Sequence, residues 1–132
     1  MELPRNPSPD EPLSAEQMRM LGEIGFFAAN HGDLVRAEEI FQSLLVLRPN
    51  RDFPYLGLGI TFLNGGRVQE AVSILERGQT MVPDSVDLCV FLAMALRASQ
   101  RNAEANKLLT ETLAAHREDT PTLRLAKQLL AS

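Results

Sequence analysis

Residues 36–50 read RAEEIFQSLLVLRPN, and residues 69–84 read QEAVSILERGQTMVPD. With a shift of 34, Ala37 falls on Ala71, Phe41 on Leu75 and Pro49 on Pro83. The same shift carries Gly25 to Gly59 and Gly32 to Gly66, and a second one reaches Ala93, Ala105 and Leu109. Three copies fit, at about 18–51, 52–85 and 86–119. A period in this range marks an array of small units that bury their apolar faces against one another.

A period of about 34 with Gly, Ala, Phe or Leu, and Pro at these offsets resembles the tetratricopeptide repeat. The resemblance implies an all-α solenoid with two antiparallel helices per copy. Each signature residue then has a physical task. Gly25, Gly59 and Ala93 let the two helices of a hairpin approach closely, facing Ala37, Ala71 and Ala105. Glycine inside a helix costs about 1 kcal/mol relative to alanine, so close approach must return something. Phe41, Leu75 and Leu109 fill the space between hairpins, Gly32 and Gly65–Gly66 make turns, and Pro49 and Pro83 stop the second helices. The third copy is weaker, with Gln100 at the turn and Arg117 in place of the proline. Ser14 and Gln17 form a capping box that starts the first helix at Ala15. Thr120 as N-cap and Pro121 at the first position open a final helix over 121–131, whose Leu123, Leu129 and Leu130 cap the stack. The repeat domain is expected over 14–131. It follows an arm, residues 1–13, that holds Pro4, Pro7, Pro9 and Pro12 and is expected to be extended and mobile.

The stretch DFPYLGLGITFLNGG, residues 52–66, has no charged side chain after Asp52. A helix apolar on every side is normally buried on every side. Leu58, Gly59 and Phe62 face the hairpin partner, as do their counterparts in the other copies. Leu56, Ile60 and Leu63 point about a third of a turn away, at ~100° per residue. First helices line the concave side of a helical stack. The second face therefore gives three ladders: Phe26–Ile60–Met94, Gly22–Leu56–Val90 and Ala29–Leu63–Arg97, with Phe53 at the edge. The second helices keep a polar side, with Glu38, Glu39, Gln69, Glu70, Glu76 and Arg77. The expected partner-binding set is thus Phe26, Phe53, Leu56, Ile60, Leu63, Val90, Met94 and Arg97. On this reading, part of the cover for 52–66 comes from another molecule.

Other classes of function find little support. A 45% apolar and 23% charged chain is ordinary for a soluble globular protein. Net charge −4 with scattered Lys and Arg argues against a nucleic-acid partner. No segment approaches the roughly 18 uninterrupted apolar residues of a membrane helix, and MELPRNPSPDEPL has no apolar signal core. Cys89, the only cysteine, lies in LCVFLAMAL and reads as a buried free thiol, which suits a reducing compartment. His31 and His116 have no ligand at metal spacing, and the acids lie on solvated faces. Gly65–Gly66 lacks the following Lys and Ser or Thr of a phosphate loop. No enzyme, metal or cofactor is expected.

Co-chaperone repeats that hold acidic C-terminal tails use Lys, Asn and Arg on the groove-facing helices. Here only Arg97 is a candidate for that role. The run GDLVRAEEIFQSLLVLRPNRDFPYLGLGITFLNGGRVQEAVSIL, with FQSLLVLRP followed by YLGLG, resembles the small tetratricopeptide chaperones of bacterial type III secretion. That resemblance extends over about 20–96. It implies a bacterial cytoplasmic, non-enzymatic protein whose groove holds a secreted client, such as a translocator or needle-type subunit. Lacking an extra N-terminal dimerisation helix, the chain looks closer to the small heterodimer-forming chaperones. A generic scaffold, or a self-associating module in which a second copy covers the groove, stands as the alternative.

Overall fold

The computed structural model describes residues 13–132, so the expected arm lies outside the described residues except for Leu13. Seven helices run in order among the described residues: α1 Ala15–Asn30, α2 Leu34–Leu47, α3 Phe53–Asn64, α4 Val68–Met81, α5 Val86–Ala98, α6 Asn102–Ala115 and α7 Pro121–Ala131. The second helices each have 14 residues, and their bounds recur at shifts of 34. The expected period is therefore kept by the backbone as well as by the side chains.

The helices form three antiparallel hairpins, α1–α2, α3–α4 and α5–α6. The second helix of each hairpin also packs on the first helix of the next, and α1, α3 and α5 lie side by side. Helix α7 packs on α6 and α5, as α5 does on α4 and α3, so it stands as the first helix of a fourth, unfinished copy. Its buried Leu123 and Ala126 face the stack, while Arg124, Lys127 and Gln128 face water.

The helix ends carry the expected chemistry. Ser14 and Gln17 make both bonds of the capping box, and Thr120 accepts from the Leu123 amide at 3.2 Å. Both α2 and α4 end two residues before their prolines. The three hairpin turns share one hydrogen bond: the amides of Asp33, Arg67 and Arg101 donate to Ala28 O, Phe62 O and Leu96 O at 2.8–2.9 Å. This closure needs a left-handed residue just past the helix. Gly32 (φ 84°) and Gly66 (φ 74°) supply it, and in the third turn Gln100 (φ 64°) does so without being glycine.

Packing between hairpins centres on fully buried Phe41, Leu75 and Leu109. The Phe41 ring lies between two glycines of different hairpins. A Cβ at Gly25 would come within 2.8 Å of the ring, and one at Gly57 within 2.2 Å. Gly59 meets Leu75 in the same way, and Gly78 meets Tyr55, whose hydroxyl donates to Pro49 O at 2.6 Å. Cys89 is free but half-buried rather than buried, with the Gln79 amide nitrogen 3.7 Å from its sulfur.

Helix α3 is apolar all round because it is the central helix, flanked by α2, α4, α1 and α5. Eight of its twelve residues are buried. Most of the cover for 52–66 therefore comes from the chain itself. Only Phe53, Ile60, Leu63 and Asn64 keep appreciable exposure.

Two predictions follow from these positions. Gly57→Ala should lower stability by about 1–2 kcal/mol, the overpacking cost less the helix-propensity gain, whereas Gly22→Ala should be neutral or stabilising. The difference arises because a Cβ at Gly22 would sit in ordinary contact, 3.5 Å from the Phe53 ring. Thermal melts by circular dichroism distinguish the two. In the same assay Gln100→Gly should raise the melting temperature, relieving left-handed strain of roughly 1 kcal/mol against a smaller entropic loss.

Candidate functional site

The eight groove residues expected from the sequence divide into three groups. Phe26, Ile60 and Met94, on α1, α3 and α5, are all half-buried and recur at intervals of 34. The Phe26 ring meets Phe41 edge-on at 4.7 Å between centroids, and Ile60 packs against Ala28, Ala29 and Ala37. Phe26 and Ile60 are anchored on their core sides, and part of each of the three remains open. Phe53 and Leu63 are likewise half-buried and packed on the core edge. These five form the apolar strip left open on the first helices.

Leu56 and Val90 do not belong to that strip. They are only 8% and 0% exposed, and Gly22, their counterpart in α1, is buried too. This ladder fills the seam where neighbouring first helices touch, so it is core. The expectation that it lines an open groove is corrected, because side-by-side α1, α3 and α5 close over it.

Arg97 is engaged rather than free. Its guanidinium donates to Ser132 Oγ and to Asn106 Oδ1, both at 2.9 Å. It thereby ties α5 to α6 and to the end of α7. The position that holds Ala29 and Leu63 in earlier copies is a clamp on the capping helix in the third.

Sequence reasoning missed a basic rim. Gly22, Phe26 and Phe53 form the apolar floor of a hollow of about 390 Å³, bordered by Arg48 and Arg51 and by Arg19, which is paired with Glu23 on the same border at 3.0 Å. Arg48 and Arg51 come from the link between α2 and α3, which the ladder analysis of first helices did not include. The signal was present in LRPNRD, where two arginines bracket the proline that ends α2.

Electrostatic perturbation lies elsewhere, on exposed ion pairs. Hydrogen bonds from Arg67, Arg101 and Arg124 hold the carboxyls of Glu70, Glu104 and Asp119 below the usual carboxylate range. Arg67 also reaches Glu38 on α2 at 2.8 Å, joining two hairpins on the outer side. Among the described residues no group of three metal-ligating side chains is brought together, and no helix is long and apolar enough to cross a membrane. The open strip contains no titratable group in a desolvated pocket of the kind acid–base chemistry uses.

Residues 66–130 match the tetratricopeptide-repeat family model. No curated protein matches the chain. Among solved structures, the chain is similar to the type III secretion translocator chaperone SycD of Yersinia enterocolitica. That match has a TM-score of 0.79 at 23% identity and covers 89% of this chain and 90% of that one. A type III secretion complex from Aeromonas hydrophila matches with a TM-score of 0.73 at 23% identity, covering 89% and 81%. The first repeat domain of Spaghetti (RPAP3), bound to an HSP90 peptide, matches with a TM-score of 0.71 at 17% identity, covering 92% and 98%. With its repeated hairpins, shared turn closure and glycine-lined seams, the chain has the all-α tetratricopeptide-repeat fold and resembles the chaperones of type III secretion.

Proposed function

We propose that this chain is a non-enzymatic chaperone that holds an apolar or amphipathic segment of a protein client against its first helices. One observation carries the reading. Phe26, Ile60 and Met94 stay partly open at equivalent positions of three hairpins, while the adjacent ladder is sealed. An array with large apolar groups left open at regular intervals suits a segment that lies across all three copies. Covering the open part of each is worth a fraction of the ~1.5–3 kcal/mol of full burial, before association costs.

The client class follows from the same surface. A clamp for an acidic tail needs free cations along the groove, and Arg97 is already bound to Ser132 and Asn106. The apolar strip favours an amphipathic segment, with the Arg48–Arg51 rim able to take an acid at one end. Likeness to SycD and to the Aeromonas hydrophila complex supports placing the client among secreted subunits of a type III system, and the protein in the bacterial cytoplasm.

The test is co-purification from the native host followed by mass spectrometry. Wild type should retain a secreted subunit. The double variant Ile60→Asp and Met94→Asp should keep its helicity and bind that subunit at least about 100-fold more weakly, given two large side chains uncovered. Undiminished capture by the double variant would remove the groove as the site.

A further inference from the structure

The hollow at the first-hairpin end of the strip joins an apolar floor to a cationic lip. Met18, Gly22, Phe26 and Phe53 lie in it, with Arg48 and Arg51 on its edge. Among the described residues, the arginine ion pairs fall on Arg19, Arg36, Arg67, Arg101 and Arg124. None falls on Arg48 or Arg51, and the Arg48 guanidinium donates to the neighbouring Leu47 O at 2.9 Å. Glu23, the one acid on the border, is taken up by Arg19. Such a site suits a ligand that is apolar along most of its length and carries carboxylates at one end.

The chain holds a segment of that kind, and it begins beside the hollow. Leu13 is half-buried on the core cluster that contains Met18. Leu13 and Met18 stand at the N′ and N4 positions about the Ser14 cap, the two that a hydrophobic staple joins. Residues 1–12 therefore connect to α1 next to Ala15 and Met18, which line the hollow. Residues 7–13 read PSPDEPL, and their only charges are Asp10 and Glu11.

We propose that residues 7–12 dock in the hollow of their own chain, with Pro7 and Pro9 over the Phe26 and Phe53 rings and Asp10 and Glu11 against Arg48 and Arg51. The reach is sufficient. Along α1 the hollow runs from Ala15 to Phe26, about 16 Å at 1.5 Å per residue. Six residues of extended proline-rich chain cover about 19 Å. The composition also fits. Proline brings no N–H to be left unpaired over an apolar floor, and its fixed φ lowers the cost of ordering. Proline-rich segments settle on aromatic surfaces for these reasons. Two acids then face two arginines. A weak contact is enough, because a short linker gives an effective concentration on the order of millimolar. An intrinsic dissociation constant of ~100 µM would keep the segment docked about ten to one. Phe26 and Phe53 belong to the open strip, so the docked segment shields one end of it. If the client reading above holds, a client has to displace it.

Paramagnetic relaxation tests the docking with no client present. A nitroxide is placed on Asn6→Cys in the full chain, with Cys89→Ser, and the backbone amide signals are read. Those of Phe26 and Phe53 should lose most of their intensity, while those of α6 and α7 keep theirs. Arg48→Glu with Arg51→Glu, both outside the core, should abolish the loss. Adding Asp10→Lys with Glu11→Lys should restore it. The groove variants Ile60→Asp and Met94→Asp should leave it unchanged, so this test and the client test fail independently. Full intensity at Phe26 and Phe53 overturns the proposal, and so does a loss that survives the two arginine substitutions. A loss centred instead on Met20, Ile24 and Phe27 overturns it by placing the segment on the outer side of α1. A loss transmitted from a spin-labelled copy to an isotope-labelled, nitroxide-free copy overturns it by assigning the hollow to a second molecule. Deletion of residues 2–12 should tighten client binding about tenfold, the factor that a ten-to-one docked state withholds. Unchanged client binding would overturn the competition.

Discussion

The structure depends on the Phe41 ring being gripped between two helices that carry no side chain where it lies. Gly25 belongs to its own hairpin and Gly57 to the next, and neither position has room for a methyl group. One aromatic side chain thereby sets the distance within a hairpin and the distance between hairpins. The two glycines forfeit helix propensity, and the tightly filled seam compensates. The second seam varies the same design. Smaller Leu75 takes the place of Phe41, Gly59 faces it, and Phe91 stands at the position of Gly57. Repeat proteins gain stability from such nearest-neighbour interfaces rather than from a single centre.

Because every unit has the same faces, a residue's exposure depends on where its unit stands in the array. Leu58 and Ile24 occupy equivalent positions, yet Leu58 is fully buried and Ile24 is half exposed. Helix α3 has neighbours on four sides, and α1 lacks the preceding hairpin. At the far end the chain supplies its own closure. Helix α7 is amphipathic, and Arg97, at a position that is apolar in the earlier copies, holds Ser132, the residue that caps its end. The two ends thus differ in finish, whereas Phe26, Ile60 and Met94 stay partly open at equivalent positions in all three copies.

Much of this was legible in residue order. The period of 34, the capping box at Ser14, the turn glycines, the Pro121 start and the filling role of Phe41, Leu75 and Leu109 are local or repeating features, and each recurs in the coordinates. The errors concern faces. Leu56 and Val90 share the helical phase of open residues, and only the side-by-side contact of α1, α3 and α5 shows them to be seam. Arg97 looked like a groove cation because Ser132 and Asn106, its partners, lie 35 and 9 residues away. Arg48 and Arg51 escaped notice because they sit in a link outside both helical patterns.

By itself the sequence determined that the chain is a helical array, how many hairpins it has, where the first and last helices start, which prolines stop two of the second helices, and which small residues permit close approach. These follow from 3.6-residue periodicity, capping and turn chemistry, all set by neighbours within a few positions. Only the tertiary structure decided which apolar stripes are sealed and which stay open. Burial is a property of what lies opposite a residue, and in this array what lies opposite comes from another hairpin, or at α1 from none in the described chain.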